Sequence, residues 1–140
     1  MEFISSIINI FPEYKETKFT TFIEIENIDK KYINDIKKHF EKCFLIQSKI
    51  SDYIDLNREY KDVFTFLKKD LIIDFINQNE NIIVKINDDL SLLKNIYSSL
   101  KNKSIIILDE NIKLSNEQIC HFFQKYNHIL KIHNHIVVYV

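Results

Sequence analysis

The 140-residue chain contains no glycine and no tryptophan, and it has only one proline, one methionine and two cysteines. Average usage would supply about 7% glycine, so roughly ten glycines are missing. Each absence excludes something. Without glycine the spacing G-x-x-x-x-G-K-[ST] cannot occur, and with it goes the loop whose backbone N–H groups approach phosphates unobstructed by a Cβ. Positions that need a positive φ must be filled by Asn or Asp, or be avoided. Cys43 and Cys120 lie far apart and make no disulfide framework, which suits a reduced, cytoplasmic location. No apolar run approaches the roughly 18–20 residues that cross a bilayer, and Met1-Glu2-Phe3-Ile4-Ser5-Ser6 lacks the positive start of a signal peptide. The formal charge of −1, from 19 basic and 20 acidic residues, gives no global attraction to nucleic acid or an anionic membrane. Any basic surface has to be local.

What is present suits one folded α/β domain over residues 1–140. Hydrophobic residues make up 46% of the chain, with 11 Phe and 7 Tyr, enough to build a core and too many for a disordered segment. There is no internal repeat and no Ser/Gly/Pro linker. Residues 3–11 suit either a helix or a buried strand. Residues 18–26 alternate Thr21, Ile23 and Ile25 with Thr20, Phe22 and Glu24, a strand pattern. The spacing of Ile33, Ile36, Phe40 and Cys43 predicts a helix over 29–44, followed by a short strand at 44–47. Val63, Leu67, Leu71 and Phe75 predict a second helix over 60–77, and residues 81–86 a short strand. A third helix is expected over 88–101. Residues 104–108 form an Ile/Leu run typical of a strand buried on both faces of a parallel sheet. Ser115-Asn116-Glu117-Gln118 is a capping box opening a helix to about residue 126, and residues 135–140 form a last strand. Strands alternating with helices imply a mostly parallel sheet flanked by helices.

The sharpest local pattern is Ser104-Ile105-Ile106-Ile107-Leu108-Asp109-Glu110. With Leu90-Ser91 before it and Leu114-Ser115-Asn116-Glu117-Gln118-Ile119 after it, residues 90–120 resemble the signature helix, Walker B strand and following loop of ABC-type ATPases. That resemblance implies a P-loop/ABC-like core in which Asp109 and Glu110 stand as Walker-B-like acids. The phosphate loop itself is missing, since Asn27-Ile28-Asp29-Lys30-Lys31 occupies its place, and Leu90-Ser91 lacks the two glycines that should follow. Asp109 and Glu110 read equally as a polar stop after a buried strand.

A glycine-free family fits the same order of elements. Residues 18–27, 66–77, 100–107 and 114–119 resemble the DNA-end-binding protein of type II-A CRISPR adaptation, whose head is a P-loop-like sheet without a working nucleotide site. Members of that family are longer, with a helical extension nearly absent here, so none of their metal ligands is carried over. The resemblance implies a non-enzymatic DNA-binding accessory of spacer acquisition. It would hold double-stranded DNA through lysine contacts to phosphate, with no cofactor and no metal. The candidate contacts are Lys30, Lys31, Lys37, Lys38, Lys68 and Lys69. Asp35 and Glu41 interrupt the first group, so a solvated helix face with mixed i,i+4 pairs accounts for it too. The alternatives are a degenerate ABC-type ATPase-like regulator and a small immunity or inhibitor protein, either working through partner proteins or as a homo-oligomer.

Other clusters are less specific. Cys120, His121, His128, His133 and His135 crowd the C-terminus, with His133 and His135 expected on one strand face, but without the paired spacing of a zinc site. Asp70 and Asp74 are one helical turn apart, with Lys68 and Lys69 beside them. Cys43 and Cys120 are expected to be buried as small hydrophobes on helices.

Overall fold

The structure is a computed structural model that describes residues 3–26, 30–46, 54–55, 58–88 and 90–140. Met1 and Glu2, Asn27 to Asp29, Gln47 and Asp89, each part of an expectation above, lie outside the described residues.

Among the described residues seven strands form one sheet: β1 (Thr21–Ile25), β2 (Lys42–Ile46), β3 (Thr65–Phe66), β4 (Ile82–Ile86), β5 (Ile105–Leu108), β6 (His128–Ile132) and β7 (His135–Tyr139). Their order is β3-β2-β1-β4-β5-β7-β6. The first five strands in this order pair in parallel, and β7 pairs antiparallel with β5 and β6. Every residue of β1, β4, β5 and β7 is buried. Burial on both faces makes such strands nearly continuous apolar runs, which is why the Ile105–Leu108 run was readable.

Alternation along the strands divides the core between two faces. On one face, α1 (Phe3–Asn9), α2 (Pro12–Lys15) and α3 (Ile33–His39) bring Ile4, Tyr14 and Ile36 to the layer containing Phe22, Ile83, Ile107 and Val137. On the other, α4 (Ile72–Gln78) and α5 (Leu93–Ser99) bring Ile76 and Ile96 to Ile23, Val84 and Ile106. Ile119 of α6 (Asn116–Phe122) packs at the same layer. The result is a helix–sheet–helix sandwich. The expected α/β class and mostly parallel sheet are present.

Several boundaries differ from the sequence expectation. The helix expected over 29–44 is a 3₁₀ turn (Lys30–Tyr32) plus the seven-residue α3, and Phe40 is already extended at φ −124 and ψ 135. Phe40 and Cys43 are both buried on the α1 side, so a helix followed by a strand reproduces helical spacing by facing one layer. The helix expected over 60–77 is interrupted by β3 and the extended Lys68, and Leu71 is 48% exposed. The helix expected over 88–101 shortens to α5, and that expected to residue 126 shortens to α6. The ambiguous first segment is helical.

Strand β6 went unrecognised. It joins β7 through His133 and Asn134, both at positive φ (48° and 63°), which is what a two-residue turn matched to strand twist requires. His133 is therefore an exposed turn residue, while His135 is buried in β7. Asn81 and Asn134 meet the expectation that Asn or Asp replaces glycine at positive φ, but Glu26, Lys103 and His133 depart from it.

Candidate functional site

From β1 the chain moves outward to β2 and β3, then returns so that β4 lies on the other side of β1. In open α/β sheets the crevice beyond the carboxyl ends of strands, at such a reversal, is where ligands bind. The strand ends here are laced together by backbone bonds: Glu26 N–H to Ile46 O at 2.8 Å, Asn87 N–H to Ile25 O at 3.2 Å, and Asp109 N–H to Ile86 O at 2.9 Å.

A row of buried polar side chains lies just below this crevice, on the face covered by α1 and α3. Glu24 of β1 stands opposite Lys85 of β4 in the sheet register. Lys85 Nζ is 3.4 Å from Glu24 Oε1 and 3.7 Å from Asp109 Oδ1, and it also donates to Asn87 Oδ1. Asn87 Nδ2 donates to Glu24 Oε1 and to the Glu26 carbonyl, each at 2.9 Å. Asp109 Oδ1 is 3.7 Å from His135 Nε2, and its Oδ2 accepts from Asn111 N–H at 3.2 Å. His135 Nδ1 donates to the His133 carbonyl at 2.8 Å, because a carbonyl can only accept. Tyr32 and Phe3 close the row, with Lys85 Nζ 5.6 Å from the Tyr32 ring centre and the Phe3 ring 4.6 Å from His135.

Glu26 terminates β1 at φ 59° and is buried. A left-handed conformation costs a non-glycine residue roughly 1–2 kcal/mol. Such outliers persist where surrounding bonds hold them and cluster at functional sites. The acids Glu26, Asp88 and Asp109 all follow the last residues of the strands that bound the crevice.

The expected site residues fall as follows. Asp109 sits inside the row, paired with Lys85 and His135, so its burial is that of a network member rather than an open metal ligand. Glu110 turns outward and meets Lys31 at 3.5 Å. Lys30 meets Glu59 at 3.5 Å, and that acid's charge holds the ammonium above its ordinary pKa. Lys37 and Lys38 are exposed on α3. Lys68 and Lys69 precede α4, whose core contacts are on the opposite sheet face. The six lysines are thus divided between the two faces.

Burial, and then the charge of Glu24, push the Cys43 thiol up to about 11, which leaves it an inert neutral thiol. Cys43 lies on β2 rather than on a helix, and Cys120 is exposed on α6, contrary to the expected burial. Asp70 and Asp74 are exposed on the 3₁₀ turn and α4. His128 stacks on Phe11 at 3.8 Å between ring centres. No group of three or more His, Cys, Asp and Glu that could hold a metal occurs among the described residues. Nor is any helix among them long and apolar enough to cross a membrane.

Sequence reasoning missed Glu24, Glu26, Lys85, Asn87 and the pairing of His135. A signal existed: Thr21-Phe22-Ile23-Glu24-Ile25 and Ile82-Ile83-Val84-Lys85-Ile86 each carry one charge at the fourth of five otherwise uncharged positions. A cavity of about 590 Å³ opens between α5 and the α6–β6 segment beside Tyr97, Phe122 and Tyr126. Its neighbours Asn102 and Val140 put it at the other end of the sheet, away from the row.

No family model matches the chain, and no curated protein does. Solved structures do. One, from Sulfolobus solfataricus and assigned to the type 11 methyltransferases, superposes at a TM-score of 0.57 with 12% identity over 89% of this chain and 83% of that chain. Another, a DhpI–SAM–HEP complex, superposes at 0.51 with 7% identity over 99% of this chain and 67% of that one. The chain shares the α/β fold of these two structures.

These neighbours overturn the resemblance to the CRISPR adaptation protein, and with it the reading as a non-enzymatic DNA-binding accessory. They support neither a P-loop-specific core nor the ATPase-regulator and immunity-protein alternatives. The physical source of the error is general. A buried strand ending in acids and followed by a capped helix occurs wherever parallel strands alternate with helices, so it did not single out the ABC family.

Proposed function

We propose that the chain is a methyltransferase that binds S-adenosylmethionine in the crevice at the carboxyl ends of β1 and β4. The single observation that carries this reading is the buried Glu26, held left-handed at the end of β1 beside β4, in a sheet shared with methyltransferase structures.

The residues present fit that cofactor. Missing glycines exclude a cradle for phosphates, which backbone N–H groups must approach closely. S-adenosylmethionine has no phosphate. It carries a sulfonium and an ammonium against one carboxylate, a net positive charge that acids attract. Glu26 and Asp88, at the ends of β1 and β4, are the side chains that would receive its positive groups. A missing phosphate loop therefore speaks against nucleotide hydrolysis without speaking against catalysis.

When bound, the cofactor supplies an electrophilic methyl group on sulfur. The chain's contribution is to bind and orient. Ile25, Ile46 and Ile86 anchor the strand ends in the core, and the Glu24–Lys85–Asn87 bonds fix the relative position of β1 and β4.

The experiment is a comparison of thermal stabilisation and labelled-methyl transfer. S-adenosylmethionine and S-adenosylhomocysteine should raise the melting temperature, and ATP and NAD should not. Label from the methyl group should pass to an acceptor in a mixed small-molecule pool. Stabilisation by ATP in place of S-adenosylmethionine would contradict the reading.

A further inference from the structure

We infer that Asn87 is a positioning residue whose amide holds the strained Glu26 turn in its ligand-accepting shape. This rests on the crevice reading above. It concerns how a chain without glycine maintains a conformation that glycine would adopt freely.

The bonding leaves Asn87 one orientation. Its Oδ1 accepts from the Lys85 ammonium, which has only protons to offer. Its Nδ2 donates to the Glu24 carboxylate and the Glu26 carbonyl, both at 2.9 Å, and neither can donate in return. Turning the amide over would set its N–H groups against the ammonium and its oxygen against two acceptors. The assignment of oxygen and nitrogen is thus fixed by the partners. Lys85 is in turn fixed by Glu24 at 3.4 Å and Asp109 at 3.7 Å, with both its neighbouring strands buried.

The consequence is directional. Lys85 orients the Asn87 amide, and the amide pins the carbonyl of the one described residue that closes β1 at positive φ. Glu26 N–H is tied separately to Ile46 O at 2.8 Å, so the residue is held on both sides of its Cα, toward β2 and toward β4. Releasing the carbonyl frees Glu26 to relax toward the negative-φ regions that a residue with a Cβ prefers. The crevice wall then moves where the cofactor must dock.

The test is a double-mutant cycle read in S-adenosylmethionine affinity and in the backbone of residue 26. Asn87→Leu keeps the branched shape and loses every side-chain hydrogen bond, so it should weaken binding about tenfold. In a Glu26→Gly background, where positive φ carries no penalty, the same change should weaken binding less than about threefold. The cycle reads the coupling between the two positions, and the backbone measurement at residue 26 separates a change of φ from a displaced Glu26 carboxylate. NMR of the two Asn87→Leu proteins should show residue 26 leaving the left-handed region with Glu and remaining there with Gly. An equal loss in both backgrounds would overturn the inference, as would an unmoved Glu26 in Asn87→Leu. If Asn87→Leu fails to fold, Asn87→Ser, whose hydroxyl cannot span all three partners, carries the same cycle. A wild-type protein that binds no S-adenosylmethionine would sink the crevice reading instead, and the NMR arm would still decide whether Asn87 holds the turn.

Discussion

Lys85 on β4 reaches across to Glu24 on β1, Nζ to Oε1 at 3.4 Å, with both side chains wholly buried. A second carboxylate, Asp109, lies 3.7 Å from the same nitrogen. One cation therefore serves two buried acids, and the two kinds of substitution differ in what they leave behind.

Lys85→Met removes the ammonium from both acids, leaving Glu24 the Asn87 amide and Asp109 its His135 and Asn111 contacts, and should destabilise by about 3–5 kcal/mol, the usual cost of breaking a buried pair. Glu24→Gln keeps Lys85 beside Asp109 and should cost distinctly less. Urea unfolding of the two variants checks the order, and a costlier Glu24→Gln would contradict the charge accounting.

Lys103 is exposed at φ 64°, with its N–H bound to Val140 O at 2.9 Å. Lys103→Gly should stabilise by about 0.5 kcal/mol, the left-handed penalty removed less the added freedom of glycine in the unfolded chain. Unchanged or lower stability would mean that this position tolerates lysine without strain.

The two cysteines should differ in reactivity and in pH response. In the native protein a thiol reagent should modify Cys120 and spare Cys43. Burial raises the Cys43 thiol from 9.0 to about 11, so the folded state holds its proton more tightly than the unfolded state does. That contribution is complete below pH 9 and is lost as pH rises toward 11, at about 1.4 kcal/mol per unit. A Cys43→Ala variant should lack this loss when unfolding is followed across the same range.

Ser115 accepts from Gln118 N–H at 3.2 Å while Gln118 Oε1 accepts from Ser115 N–H at 2.8 Å. Ser115→Ala should cost about 1 kcal/mol, measured by thermal melting.

That capping box was legible because its partners are three residues apart, and Ile105–Leu108 was legible because burial on two faces leaves an unbroken apolar run. The stretch from Ile33 to Cys43 was misread because helix and strand both face α1, so their apolar positions run on in one helical register. The candidate site was hidden for a different reason. Glu24, Lys85 and His135 come from three strands and Asp109 from just past the end of a fourth, and only the order β1-β4-β5-β7 makes them neighbours. Asp109 stands out by its place after β5 and His135 by the histidines around it, but nothing in the sequence pairs the two.

The central claim is that the crevice between β1 and β4 takes S-adenosylmethionine, and calorimetric titration tests it most directly. The account predicts one site per chain with a dissociation constant below about 1 mM, the upper end of ordinary working affinities. It further predicts that Asp88→Lys abolishes this binding in a protein that still folds. Absence of binding by the folded wild-type protein, or equal binding by Asp88→Lys, would contradict it.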